Sequence, residues 1–122
     1  MPITQITHQG KKIIFVDYEG CRNKQDMLDM VVQSTDYLLA QPDKHLLILF
    51  DYTHAHGSSE YMRLAKESRD KIYQTKTTKS AAIGISGIKR ILLNGYNALS
   101  SAKGMQPFDT KSAALDYLVG ED

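Results

Sequence analysis

Residues 84–90 combine residue types that could bind an anion. Gly84 and Gly87 lie where a β-rich run gives way to a helical pattern, and free backbone N–H groups at a helix start attract negative charge. Lys89 and Arg90 follow in the first helical turn, where cations oppose the helix dipole, and functional sites tend to break such local rules. The sequence therefore predicts an anion site for a phosphate, a carboxylate or a phosphorylated partner at Ser86, Gly87, Lys89 and Arg90. The alternative is that both cations are solvated surface side chains.

The loop after the most apolar run of the chain offers a second candidate site, which comprises Asp51, Thr53, Ser58 and Ser59. Ser58 or Ser59 suits the N-cap of the helix that follows, and this role is purely structural. The alternative is a phosphorylation switch, because the helix dipole would favour a phosphate there and the phosphate would change the adjoining surface.

Three other patterns carry too little to predict catalysis. His54 and His56 lie near Asp51 and could in principle ligate a metal, but this spacing is common by chance. Cys21 has no Cys-x-x-Cys partner, and a set of Ser58, His54 and Asp51 lacks the Gly-x-Ser-x-Gly elbow of a hydrolase. The phosphate-loop and dinucleotide fingerprints are also missing from the sequence. We therefore expect a protein that is not an enzyme, with no catalytic residue, metal or cofactor.

Alternating β-rich runs and helical spacing predict the elements that position these sites. The order is β-β-α-β-α-β-α-β-α, an α/β fold with a mixed, mostly parallel five-stranded sheet and four helices. Residues 46–50 form the central buried strand, because both faces of that run are apolar. Ligands of such sheets bind beyond the carboxyl ends of the parallel strands, so the loops after residues 18, 51 and 86 should share one edge. The remaining predicted strands are residues 3–8, 12–18, 80–86 and 106–108.

Local signals place the helices. Asn23 caps the first helix, which ends before Pro42 and buries a face of Leu28, Val31, Val32, Thr35, Leu38 and Leu39. The second helix follows Ser58 or Ser59, the third begins at Gly87, and Asp109 and Thr110 cap the last. The edge strand at residues 106–108 could support a homodimer, although Pro107 blunts that edge.

Totals of the sequence restrict the class of protein. The 122 residues suit one domain, residues 1–122, and the net charge of +1 gives no global attraction for nucleic acid. A single cysteine cannot form an internal disulfide. The first residues lack the pattern of a signal peptide, and no apolar run approaches the length of about 20 residues that spans a bilayer. The expected location is cytoplasmic, with no membrane span.

Three stretches of the chain carry a resemblance to a known family: residues 46–53, 82–94 and 107–118. In these stretches and in element order the chain resembles the STAS domain, and more closely the stand-alone SpoIIAA-like proteins of bacteria. The resemblance implies a non-enzymatic regulatory domain, like the anti-sigma factor antagonists, that docks on a protein partner. In that family a serine or threonine at the start of the helix after the central strand is phosphorylated, and Ser58 or Ser59 is the nearest match here.

The resemblance also implies an alternative function. SpoIIAA-like proteins are similar in fold to CRAL-TRIO lipid-binding domains, so a small anion, nucleotide or lipid-like ligand at the Ser86–Gly87 turn is the second prediction.

The sequence around the predicted phosphorylation site departs from the family pattern. The family context Asp-Ser-x-Gly is replaced here by His56-Gly57-Ser58-Ser59. Likeness to a family informs the fold more than the function.

Overall fold

Five strands form one mixed sheet in the computed structural model, which describes residues 2–55, 58–85, 94 and 105–120. The strands are β1 (Ile3–His8), β2 (Lys11–Asp17), β3 (His45–Asp51), β4 (Thr77–Ile83) and β5 (Met105–Phe108). Within these described ranges the helices are α1 (Lys24–Leu39), α2 (Ser59–Tyr73) and a C-terminal helix, named α3 here (Lys111–Val119). The predicted α/β class and five-stranded sheet are therefore confirmed.

The strands lie side by side in the order of the sequence, β1-β2-β3-β4-β5. The β1–β2 hairpin is antiparallel, and β2, β3, β4 and β5 pair in parallel. Gln9 and Gly10 make the hairpin turn, and both have the positive φ that tight two-residue turns require. The continuously apolar β3 is central, as predicted, because only a strand covered on both faces buries such a run.

Helices cover both faces of the sheet. One core cluster includes Ile14 and Ile48 together with Met27, Val31 and Leu38 of α1 and Ile72 of α2. The other joins Ile13, Leu49 and Ala81 to Ala114 and Leu118 of α3. Neighbouring strand residues such as Ile13 and Ile14 therefore point to opposite faces, as the pleat demands. None of the helices in the described ranges combines the length and the apolar character that crossing a bilayer requires.

The position of β4 differs from the sequence prediction. The strand covers Thr77–Ile83 and not residues 80–86, because the β-branched pair Thr77 and Thr78 extends it backwards and Gly84, at a φ of 78°, ends it. The third helix, predicted from Gly87, lies outside the described residues apart from Asn94, which is helical. The part of the chain that the structure describes thus carries three of the four predicted helices.

The buried face of α1 is also rotated from its predicted position. The buried residues are Met27, Met30, Val31, Ser34, Thr35 and Leu38, whereas Val32 is 54% exposed. Val31 and Val32 are adjacent and therefore lie about 100° apart around the helix, so one face cannot bury both equally. Met27 and Met30 are buried on this face, whereas the sequence analysis had placed Val32 there.

Candidate functional site

The carboxyl ends of β2, β3 and β4 meet at one edge of the sheet. Asp17 pairs with Asp51, and Asp51 pairs with Ile83. The pairing continues beyond the strands, since Tyr18 N donates to Asp51 O and Tyr52 N donates to Ile83 O, both at 2.9 Å. The expected convergence of these exits is confirmed for the described residues. We call this edge the rim and define it by Asp17, Glu19, Asp51, Thr53, His54, Ser58 and Ser59.

Three carboxylates concentrate negative charge on the rim. Oxygen atoms of Asp17, Glu19 and Asp51 all lie within 4.8 Å of one another. Asp17 Oδ1 accepts a hydrogen bond from Glu19 N, and Asp51 Oδ1 accepts one from Thr53 N, both at 2.9 Å. Each aspartate thus closes its own turn with one oxygen. Carboxylate oxygens are the donors that hard cations such as Mg²⁺ and Ca²⁺ prefer, and they also pair with lysine and arginine.

A cluster of three tyrosines packs beside the rim residues. The rings of Tyr18 and Tyr52 stack with centroids 4.8 Å apart, and Tyr61, from the first turn of α2, packs edge-on to both. The hydroxyls of Tyr52 and Tyr61 are 2.7 Å apart. Burial is the main cause that raises the pKa of Tyr61 well above its usual value, so this hydroxyl stays protonated. The cluster fixes the start of α2 against the ends of β2 and β3.

Gly84 brings the exit of β4 against the loop after β3. Its φ is 78°, and a Cβ built on it would lie 2.7 Å from both the Cα and the Oγ1 of Thr53 and closer still to Thr53 N. Only glycine allows this approach of two backbones without strain. The described contact gives Gly84 a packing role between two rim loops, and the anion-binding turn predicted from the sequence around it stays a prediction.

Of the two histidines that were considered as metal ligands, only His54 lies within the described residues. His54 has a φ of 61° and a side chain 80% exposed, and its Nδ1 lies 3.7 Å from Glu19 Oε1. His56 lies outside the described residues. The sequence analysis placed the loops that carry these three carboxylates at one edge of the sheet, but it did not single out the acids as a cluster, although a repeated Asp-Tyr pair, at residues 17–18 and 51–52, ends two neighbouring strands.

Ser58 and Ser59 have different environments at the start of α2. Ser58 is the N-cap, as one of the two sequence interpretations predicts, and its Oγ accepts a hydrogen bond from Tyr61 N at 3.1 Å. Ser59 is exposed in the first turn, next to Glu60, which is paired with Lys24 of α1 at 2.8 Å. The ion pair with Lys24 is the main cause that lowers the pKa of Glu60. Ser58 Oγ and Asp51 Oδ1 already accept hydrogen bonds from backbone N–H groups, which argues against their use in a hydrolase triad.

Cys21 follows β2 and is buried. Its pKa is raised, first by burial and then by the nearby charges of Asp26 and Asp17. A raised pKa keeps the thiol protonated and unreactive. This agrees with the passive role expected from the sequence.

Lysine side chains lie at the opposite edge of the sheet from the rim, where the parallel strands begin. A cavity of about 350 Å³ there is lined by Lys11, Lys12, His45 and Lys79 with a single acidic residue, Asp43. Lys11 Nζ donates to Val119 O at 3.1 Å and Lys79 Nζ to Gly120 O at 2.9 Å, so these cations stabilise the C-terminal end of α3. Within the described residues, these lysines lie at the end of the sheet opposite the rim acids.

The predicted anion site does not fall on the described part of the molecule. Ser86, Gly87, Lys89 and Arg90 all lie outside the described residues, so that site stays a prediction. Asp51, Thr53, Ser58 and Ser59 lie within them and around the rim. A scan against models of known protein families and a search of curated proteins found no match to this chain.

Proposed function

We propose that this protein is a non-enzymatic regulatory domain that docks on a protein partner through the rim. The observation that carries the proposal is the register of β2, β3 and β4, which brings the carboxyl ends of all three strands together. In open α/β sheets this edge is where binding surfaces form. The resemblance to STAS antagonists, stated from the sequence, points to the same kind of function.

The charge of the rim supports a partner with a basic segment. Glu19 has a half-exposed side chain, and its carboxylate lies with those of Asp17 and Asp51 within 4.8 Å. Lys24, the basic residue of α1, is already paired with Glu60. A guanidinium group can contact two carboxylate oxygens at once, which gives both affinity and orientation. Lysine or arginine side chains of the partner would therefore lie over the three acids.

The charges of the described residues would help to orient this partner. Lysines lie at the opposite edge of the sheet, and the acids lie at the rim. A basic segment approaching the domain would thus be attracted to the rim acids. Such steering acts mainly on the rate of association and weakens as ionic strength rises.

A non-enzymatic role agrees with how the candidate catalytic groups are used. Ser58 Oγ caps α2, Asp51 Oδ1 closes its own turn, and the thiol of Cys21 is buried with a raised pKa. A nucleophile needs a base within hydrogen-bond reach, and these three groups serve other contacts. Catalysis is therefore the weaker explanation for the described part of the rim.

Ser59 is the better candidate for the switch that the family resemblance implies. It is exposed, whereas Ser58 is half-buried and uses its hydroxyl oxygen as the N-cap. A phosphate on Ser59 would lie at the positive end of α2 and would carry a charge of about −1.5 to −2 at neutral pH. It would add to the negative charge of the rim and strengthen the binding of a basic partner.

Photo-crosslinking in cells tests the docking surface. A photoreactive residue replaces His54, which is highly exposed on the rim, and in a second protein it replaces Val32, which is 54% exposed on α1. We expect the probe at position 54 to capture a specific protein that the probe at position 32 does not. Capture of the same proteins from both positions would contradict the proposal.

Variants that replace the rim acids with neutral residues then test whether the charge of the rim binds the partner. The variant D17N/E19Q/D51N keeps the acceptor oxygens that close the turns, and D29N/D36N/E67Q removes the same charge from exposed residues elsewhere. Capture should fall at least about tenfold in the first variant and persist in the second, since close charge pairs at an interface are worth about 1.5 kcal/mol or more. EDTA in the lysis and binding buffers excludes a bridging cation. Equal capture by both variants would show that the rim acids do not bind the partner.

A further inference from the structure

The outer edge of β1 presents backbone groups to solvent. In the described chain β1 pairs only with β2, and Asp17 N donates to Pro2 O at 2.8 Å. Antiparallel ladders alternate between hydrogen-bonded and non-bonded residue pairs. From Pro2 onward, Thr4, Ile6 and His8 therefore exchange hydrogen bonds with β2, and the N–H and C=O groups of Ile3, Gln5 and Thr7 point away from the sheet.

This edge lacks the features that normally protect an edge strand. Its sequence, Ile-Thr-Gln-Ile-Thr-His, contains no lysine, no acidic residue and no proline. The register with β2 runs without a bulge from Ile3–Val16 to His8–Lys11. Natural proteins block edges with charges, prolines, bulges or very short strands, and an edge without them is a template for a further strand. The other edge strand, β5, is shorter, with four residues, and contains Pro107.

We propose that β1 pairs with β1 of a second copy of this chain to make a symmetric dimer with one continuous sheet. The two-fold axis passes through the antiparallel pair formed by the two Gln5 residues, and Ile3 lies opposite Thr7 of the second copy. In this register each of the three outward residues donates one hydrogen bond and accepts one. A two-fold axis requires the same patch on both subunits, and the strand satisfies this requirement.

The side chains of β1 are compatible with this pairing. Ile3 opposes Thr7 on the face covered by α1, and Thr4 opposes Ile6 on the other face, so β-branched residues meet across the new ladder. Gln5 is exposed, and its Nε2 donates to Tyr37 OH of α1 at 3.0 Å. The two Gln5 amides can hydrogen-bond to each other at the axis. No like charges face each other across β1, because the strand carries no charged side chain apart from His8 when it is protonated.

The dimer should be weak, because a single strand of six residues buries much less than the roughly 1,200–2,000 Å² of a stable interface. Sedimentation velocity from about 10 µM to 1 mM is therefore the appropriate measurement, with half-association expected in the range of about 0.05–0.5 mM. In NMR spectra the amide protons of Ile3, Gln5 and Thr7 should become protected as concentration rises. Those of Thr4 and Ile6 should be protected at every concentration. A wild-type protein that is monomeric at 1 mM overturns the proposal.

Charge variants at the axis test the register. Q5K and Q5E each place like charges opposite themselves, so each should dimerise at least about threefold more weakly than wild type. An equimolar mixture should recover wild-type affinity or exceed it, because the introduced lysine of one copy then meets the introduced glutamate of the other across the axis. The matched controls are Q74K and Q74E, at an exposed position after α2, and they should behave as wild type. A dimer that persists unchanged in Q5K and Q5E, or a mixture no tighter than either alone, would show that Gln5 is not at the axis.

Discussion

The contact between Gly84 and Thr53 predicts a large and specific loss of stability for Gly84→Ala. Two costs combine at this position. Alanine at the observed φ of 78° is strained by about 1–2 kcal/mol relative to glycine. Its Cβ would also lie 2.7 Å from Thr53 Cα and nearer to Thr53 N, so the backbone must shift. Overpacking of this kind costs about 1–3 kcal/mol, which brings the total to about 2–5 kcal/mol.

Alanine variants of two other glycines in the chain measure these two costs separately. Gly10 has nearly the same φ, 77°, but a Cβ there meets no atom within 4 Å, so Gly10→Ala measures the backbone strain alone. Gly20 has neither a positive φ nor a neighbour within 4 Å, and Gly20→Ala should change the free energy of unfolding by no more than about 0.5 kcal/mol. The three variants are therefore expected in the order Gly84, Gly10, Gly20, from most to least destabilised.

Urea unfolding at equilibrium measures the three free energies, with the slope m checked for constancy. Thr53→Ala removes the Oγ1 contact but leaves the backbone overlap, so it should not rescue Gly84→Ala. If Gly84→Ala costs no more than Gly10→Ala, the exits of β3 and β4 are not in the close contact described for the rim. A full rescue by Thr53→Ala would instead show that the side chain alone sets the cost.

The start of α2 and the tyrosine cluster give further expected outcomes. Ser58→Ala should lower the free energy of unfolding, measured in urea, by about 1 kcal/mol, because it removes the side-chain oxygen that accepts from Tyr61 N. Ser59→Ala should change this free energy little. Equal effects of the two variants would contradict the distinction between the capping serine and the exposed one. Because the pKa of Tyr61 is raised in the folded state above its ordinary value of 10.0, folding stability should be complete below pH 10 and should fall as the pH rises above it. Urea titrations between pH 8 and 11 should show a shallower fall for Tyr61→Phe, and identical slopes would mean that Tyr61 does not cause it.

The sequence predicts those parts of the fold that local chemistry determines. Asn23, Ser58 and Thr110 are N-caps in the structure because each has a side-chain oxygen that accepts from the N–H three residues on. The central β3 also follows from its own composition. By contrast, α2 buries Arg69, at 6% exposure, although arginine side chains are mostly exposed in folded proteins. Such burial depends on what lies opposite in three dimensions, which no local pattern contains.

Lys79 shows the same limit within a strand. It is 7% exposed in the middle of β4, with its Nζ 4.5 Å from the centre of the Tyr117 ring and 2.9 Å from Gly120 O. These contacts come from a segment about forty residues away along the chain. A lysine in an alternating pattern predicts an exposed face, and only the docking of α3 changes that outcome. The sequence analysis placed the loops that carry the rim acids at one edge, but the close approach of their carboxylates depends on the register of β2 with β3, which no local pattern contains.

The repeated Asp-Tyr pair explains how the same two positions supply both the charge and the support of the rim. Asp17 is in register with Asp51, so each following tyrosine is also adjacent to the other, and the two rings stack. Successive residues at a strand end point to opposite sides, which directs carboxylates to the rim and rings to the core. Tyr61 then ties α2 to this stack through its contacts with both rings. A change in a tyrosine that shifts the stack should therefore also move the acids, so the proposed docking surface depends on the buried Tyr18 and Tyr52 as well as on its exposed residues.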